Sequence, residues 1–144
     1  MKKIILITLF AAGCAAPHQP IPDRAASESA IRQTLADQVA AWNKGDIDAF
    51  MKGYWRSDSL LFVGRKIVAG WDSTLIRYKR SYPDQAAMGE LRFDILHLDF
   101  TSANSCLVTG NYFLKREKDN PSGVFTLLFK KKNGVWVIVY DHTS

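Results

Sequence analysis

The sequence predicts an α+β domain in which three helices of the N-terminal half pack on one side of a strongly curved antiparallel sheet. Three observations carry this prediction. Residues 41–51, AWNKGDIDAFM, join two apolar helical stripes through a break at Gly45 and Asp46. From residue 91 onward, strand-like runs follow one another with turn signals between them. Within the first of these runs the apolar phase slips, from Leu91, Phe93 and Ile95 to Leu96, Leu98 and Phe100. Such a slip marks a bulge that bends the strand. A sheet bent in this way leaves a cone-shaped hollow beneath the helices, and concave spaces of that kind hold ligands.

The elements follow in order. Ile31, Leu35, Val39 and Trp42 recur at helical spacing and predict a first helix over about residues 27–44. Gly45 supplies the left-handed residue that closes a helix, and Asp46 caps the next one by accepting from its free N–H groups. That second helix, about 46–55, presents Ile47, Phe50, Met51 and Tyr54 on one face. Ser57-Asp58-Ser59 breaks the pattern, and the serines read as turn residues. A short hairpin, 60–63 with 67–69, turns at Gly64 to Lys66. Asp72 is expected to cap a third helix carrying Leu75, Tyr78 and Tyr82, which Pro83 stops. Residues 85–89 read as a loop. Long strands are then expected over 91–100, 106–118, 124–131 and 135–141, the last two joined at Asn133-Gly134, a pair suited to a tight hairpin.

The first residues suggest an address. Lys2 and Lys3 precede IILITLFAAG, an apolar run too short to span a bilayer, as in export signals. The run ends at Ala11-Ala12-Gly13-Cys14, which resembles the lipobox of bacterial lipoproteins, although Ala11 stands where that family usually has Leu. The resemblance implies cleavage before Cys14 and lipid attachment to its sulfur. Ordinary signal cleavage a few residues later is the alternative. Residues 1–13 are thus expected to be the leader, 14–26 a proline-bearing tether and 27–144 the domain, held at the cell envelope.

Composition narrows the function classes. Nineteen basic residues stand against 14 acidic ones, and two of the lysines belong to the leader. The rest are dispersed apart from Lys130-Lys131-Lys132, a solvated hairpin tip, so no nucleic-acid partner is expected. The Cys and His residues do not have zinc-ligand spacing, and neither a metal nor a cofactor is expected. Lipidation of Cys14 would leave Cys106 without a disulfide partner.

Three stretches, AWNKGDIDAFMKGYWRSDSLLFVG, GWDSTLIRYKRSYPD and FTLLFKKKNGVWVIVYDHTS, resemble the nuclear transport factor 2-like superfamily, and within it the SnoaL-like domain of unknown function 4440. The resemblance covers about residues 30–144. It implies the cone-shaped fold and homodimerisation through the sheet, with which Phe113, Phe125, Leu127 and Phe129 on an outer face would be consistent. The superfamily contains isomerases, cyclases, dehydratases and hydrolases as well as members without known catalysis, so the fold does not decide the chemistry. The ketosteroid isomerase aspartate falls at Val63 and its helix-1 tyrosine at Gln38, so that mechanism is not carried over.

Several residues remain candidates for a site. His142 is a candidate general base beside Asp141, although neighbouring strand residues point to opposite faces. Asp94 and His97 are a second acid–base pair if the bulge turns both inward. Asn111 and Arg116 are candidate polar ligand contacts. Trp42, Tyr54, Trp71, Tyr78 and Tyr82 are candidate lining residues, since a buried tyrosine hydroxyl needs a partner. The leading reading is an envelope-tethered domain that binds a small apolar or amphipathic molecule. A small acid–base enzyme using His142 or Asp94 and a purely structural dimer module are the alternatives. A cavity with a buried, shifted acid favours the enzyme, an apolar cavity favours binding, and a filled cone favours the module.

Overall fold

The computed structural model describes residues 23–144, so the expected leader, Cys14 and most of the tether lie outside the described residues. Helix α1, Arg24–Asn43, begins three residues before the expected start because Asp23 caps it, its carboxylate accepting from the Ala26 N–H at 3.3 Å. Ile31, Leu35 and Trp42 face the core as the periodicity requires. Gln38 shares that face, whereas Val39 packs at its margin. Gly45 adopts a φ of +76°, and Asp46 caps α2, Ile47–Phe50, by accepting from the Ala49 N–H at 2.8 Å.

The second helix does not run to Trp55. After Phe50 it tightens into a 3-10 turn, Met51–Gly53, and Tyr54 is extended. There the Trp55 N–H donates to the Ile138 carbonyl at 2.8 Å, so backbone bonding to the sheet replaces another helical turn. Strands β1, Leu61–Val63, and β2, Ile67–Ala69, form the short hairpin. Helix α3, Trp71–Ser81, is capped at Gly70, and the expected cap Asp72 lies inside the first turn, where its charge faces the positive helix end. The segment read as a loop contains a one-turn helix α4, Gln85–Met88, capped by Asp84. Four residues are too few to show a period in sequence.

The long strands are β3, Glu90–Ser102, β4, Ser105–Lys115, β5, Ser122–Lys132, and β6, Val135–Thr143. They form one six-stranded sheet in the order β2-β1-β6-β5-β4-β3, antiparallel throughout except where β1 runs parallel to β6. The expected bulge is present between Ile95 and His97, a second lies between Phe100 and Ser102, and a third interrupts the β5–β6 pairing at Leu128 and Phe129. Asn133 and Gly134 both take positive φ, as a two-residue hairpin turn of this hand requires.

Phe125, Leu127 and Phe129 lie on the inner face and belong to the core, which corrects the expectation that they cover an outer surface. On β5 it is Val124 that is exposed, with Leu107 on β4 and Leu96 on β3. The expected alternation is present, with its apolar side turned inward. Among the described residues no helix is long and apolar enough to cross a membrane.

Candidate functional site

The helices do not fill the cone. Between them and the inner face lies a cavity of about 830 Å³. Its walls are largely aromatic and aliphatic: Trp42 and Phe50 from the first two helices, Phe62 from β1, and Phe93, Phe125 and Leu127 from the long strands. The helical aromatics brace one another edge to face. Trp42 meets Phe50 at 5.1 Å and Tyr82 at 4.7 Å between ring centroids, and Phe50 meets Tyr78 at 5.2 Å. Edge-to-face contact fixes ring orientation beyond what burial alone achieves. Trp42 is held by its indole N–H, which donates to the Met88 carbonyl at 3.1 Å. Asn43, next in the chain, accepts from the Leu91 N–H at 2.7 Å and donates to the Leu91 carbonyl at 3.1 Å, pinning the end of α1 to β3.

Polar chemistry is concentrated at Asp141. In the sheet it stands between Phe62 of β1 and Leu127 of β5, both apolar and both facing the cavity. The Tyr54 hydroxyl donates to Asp141 Oδ2 at 2.7 Å, and the Thr143 hydroxyl donates to Oδ1 at 2.7 Å. Tyr78 reaches Tyr54 hydroxyl to hydroxyl at 3.2 Å. Asp141 is only 3% exposed, and burial raises its pKa above the ordinary carboxylate value; the Thr143 and Tyr54 hydrogen bonds, then Arg77 and His142, act in the opposite direction. Burial also holds both tyrosine hydroxyls well above their usual pKa, with Asp141 adding to the effect, so both stay protonated. The exposed side of the cavity is bordered by Arg65, Lys66 and His142. Arg77 also lines it, its guanidinium 3.9 Å above the Phe62 ring.

Of the residues singled out from the sequence, Trp42, Tyr54, Tyr78 and Tyr82 line this cavity together. His142 touches it only at the exposed rim, since it follows the inward Asp141 in an unbroken strand and faces outward. The last strand is not frayed there: His142 pairs with Thr126 on one side and Val63 on the other. Asp94 lies outside the lining and pairs with Arg92 on the outer side. The bulge does place Asp94 and His97 on one side, but it is the outer one, because Phe93, Ile95 and Leu98 take the inward positions. Asn111 is opposite Asp94 in the register and likewise lies off the cavity. Arg116 stands behind the wall, 5.8 Å from the Tyr82 ring centroid, and pairs weakly with Asp119. Trp71 is also outside the lining; its indole N–H donates to the Met51 carbonyl at 3.0 Å and secures the 3-10 turn.

Asp141, rather than its neighbour and candidate base His142, is the buried acid of the site. Counting by twos from Trp136 and Ile138 puts Tyr140 inward and Asp141 outward. The β5–β6 bulge removes that phase: Ile138 pairs with Phe129, but Tyr140 pairs with the adjacent Leu128, leaving Val139 as the extra residue. The unusual run of Tyr, Asp and His at the end of an apolar strand was the available signal. Among the described residues no group of three or more His, Cys, Asp or Glu side chains is placed to hold a metal ion.

The profile of the SnoaL-like domain family matches residues 31–144. No curated protein matches the chain. Among solved structures, a NTF-2 like protein of unknown function from Shewanella oneidensis MR-1 is 45% identical, with a TM-score of 0.80 over 82% of this chain and 98% of that one. A ketosteroid isomerase-like protein from Erwinia carotovora atroseptica SCRI1043 has a TM-score of 0.61 at 20% identity, covering 81% of this chain and 93% of its own. A hexachlorocyclohexane dehydrochlorinase has a TM-score of 0.64 at 20% identity, covering 85% and 86% respectively. These last two likenesses concern the fold.

Proposed function

The chain belongs to the SnoaL-like domain family of nuclear transport factor 2-like proteins, and from that premise we propose that it binds a small, mostly apolar molecule in its cone. The observation that carries this reading is the cavity itself. It has about 830 Å³ of space walled by aromatic and aliphatic side chains, with one buried polar cluster of Asp141, Tyr54 and Tyr78. Drug-sized ligands occupy sites of this size and character. An open cone also argues against a module filled by its own side chains.

A second reading, a small acid–base enzyme, is favoured by Asp141. An acid of raised pKa in an apolar pocket is the arrangement that general acid–base catalysis uses. It takes the place of His142 and Asp94 as the residue to test. Binding is preferred because both carboxylate oxygens already accept from the protein's own hydroxyls.

The proposed setting is the cell envelope, and its support is in the sequence: Lys2-Lys3, the apolar run and Ala11-Ala12-Gly13-Cys14. Both parts are tested by native mass spectrometry of protein extracted with mild detergent from the cells that make it naturally. The expected spectrum shows a chain beginning at a lipid-modified Cys14 and a small organic adduct released on collisional activation. An unprocessed N-terminus would contradict the tether. A bare polypeptide that also takes up no apolar probe would contradict the binding function.

A further inference from the structure

Resting on that reading, we infer that the Asp141–Tyr54–Tyr78 chain is a hydrogen-bond polarity switch: it shows the cavity an acceptor when Asp141 is ionised and a donor when Asp141 carries a proton. The ligand it selects in the protonated state is therefore an apolar molecule bearing a ketone or another group that only accepts.

The inference follows from counting protons. Each tyrosine hydroxyl has one proton to donate. With Asp141 ionised, the Tyr54 proton goes to Oδ2 at 2.7 Å. Tyr54 then has none left for Tyr78, so across the 3.2 Å contact Tyr78 must donate to Tyr54. Both protons are then committed within the chain, and Tyr78, which lines the cavity, has none left to offer a ligand. Protonation of Oδ2 reverses every link. Asp141 donates to Tyr54, Tyr54 donates to Tyr78, and the Tyr78 proton is released to a ligand. Thr143 donates to Oδ1 in either state and does not compete for the chain.

The surroundings make the protonated state accessible. The sheet neighbours of Asp141 on its own face, Phe62 and Leu127, are apolar. The groups that bear on its charge are Tyr54 after the 3-10 turn, Arg77 and Tyr78 on α3, and His142 and Thr143 on its own strand. Arg77 is the fixed cation among them, and it rests on the Phe62 ring without a hydrogen bond to Asp141 among the described residues. Burial outweighs these groups and raises the Asp141 pKa above its ordinary value. Tyr54 and Tyr78 stay protonated at every pH of interest, so Asp141 alone sets the direction.

The test compares 2-acetonaphthone, which only accepts, with naphthalene, which does neither, by equilibrium binding between pH 4 and 8. The affinity of the ketone relative to naphthalene should rise about tenfold as pH falls through the Asp141 titration, the size of one hydrogen bond gained or lost. In Asp141→Asn, whose amide donates as the protonated acid does, the ratio should be high at every pH. In Tyr78→Phe it should be low at every pH. A ratio that ignores pH in the wild type, or that neither substitution moves, overturns the switch. Failure of naphthalene itself to bind would instead overturn the binding function on which the switch rests. Thermal melts of both variants check that the fold is kept.

Discussion

Asp141 is bracketed by Phe62 and Leu127 in the sheet, and this placement determines its behaviour. Desolvation works against the charged form, and the hydroxyls of Thr143 and Tyr54 recover only part of the loss. A carboxyl whose folded pKa lies above its unfolded value contributes stability that is complete below the unfolded pKa. That contribution is lost as pH rises through the folded pKa. Asp141→Asn removes the titration while keeping a donor and an acceptor. The variant should therefore gain on the wild type in urea unfolding as pH rises from about 4, near the unfolded carboxylate value, towards neutrality. A stability difference that stays constant over that range, or that favours the wild type at higher pH, would contradict the assignment. The sequence contained the residue but not its direction. Alternation from Trp136 and Ile138 points Asp141 outward, and the one-residue bulge at Val139 that reverses it depends on pairing with β5.

At the scale of elements, the features fixed by local chemistry were legible. Gly45 and Asp46 end one helix and start the next through conformations and caps that involve only near neighbours. Asn133-Gly134 forms its turn for the same reason. What failed to show was the reach of α2. Its apolar spacing continues to Tyr54, but the sheet claims the backbone at Trp55, and Gly53 lets the turn pass close over Gln38. A Cβ at Gly53 would sit 2.8 Å from the Gln38 amide, whose N–H donates to the Phe50 carbonyl at 3.1 Å. Gly53→Ala should thus cost about 1–3 kcal/mol through that buried hydrogen bond. Adding Gln38→Ala should restore part of the loss, giving a clear coupling in a double-mutant cycle. Strictly additive effects would mean that the two side chains do not compete for this space.

The whole molecule was the most legible level. Helices first, then consecutive strands with a phase slip in the leading one, specify a sheet curved around a helical layer, and the structure has that order. Two features lay beyond reach. The parallel pairing of β1 with β6 joins a three-residue strand to the far end of the chain, and no local pattern encodes it. The sidedness of β5 is the other, because Phe125, Leu127 and Phe129 alternate equally well in either direction; the helical layer decides which side is inside. The same layer stops short of filling the cone, and the proposed binding depends on that space.

Fluorescence titration with N-phenyl-1-naphthylamine, an apolar probe that brightens out of water, tests that dependence most directly. The proposed binding predicts one saturable site per chain, weakened at least about fivefold by Leu127→Trp, which grows into the cavity from a position 4% exposed and leaves the outer surface untouched. A titration without saturation, or one identical in wild type and variant, would contradict the proposed binding in the cone.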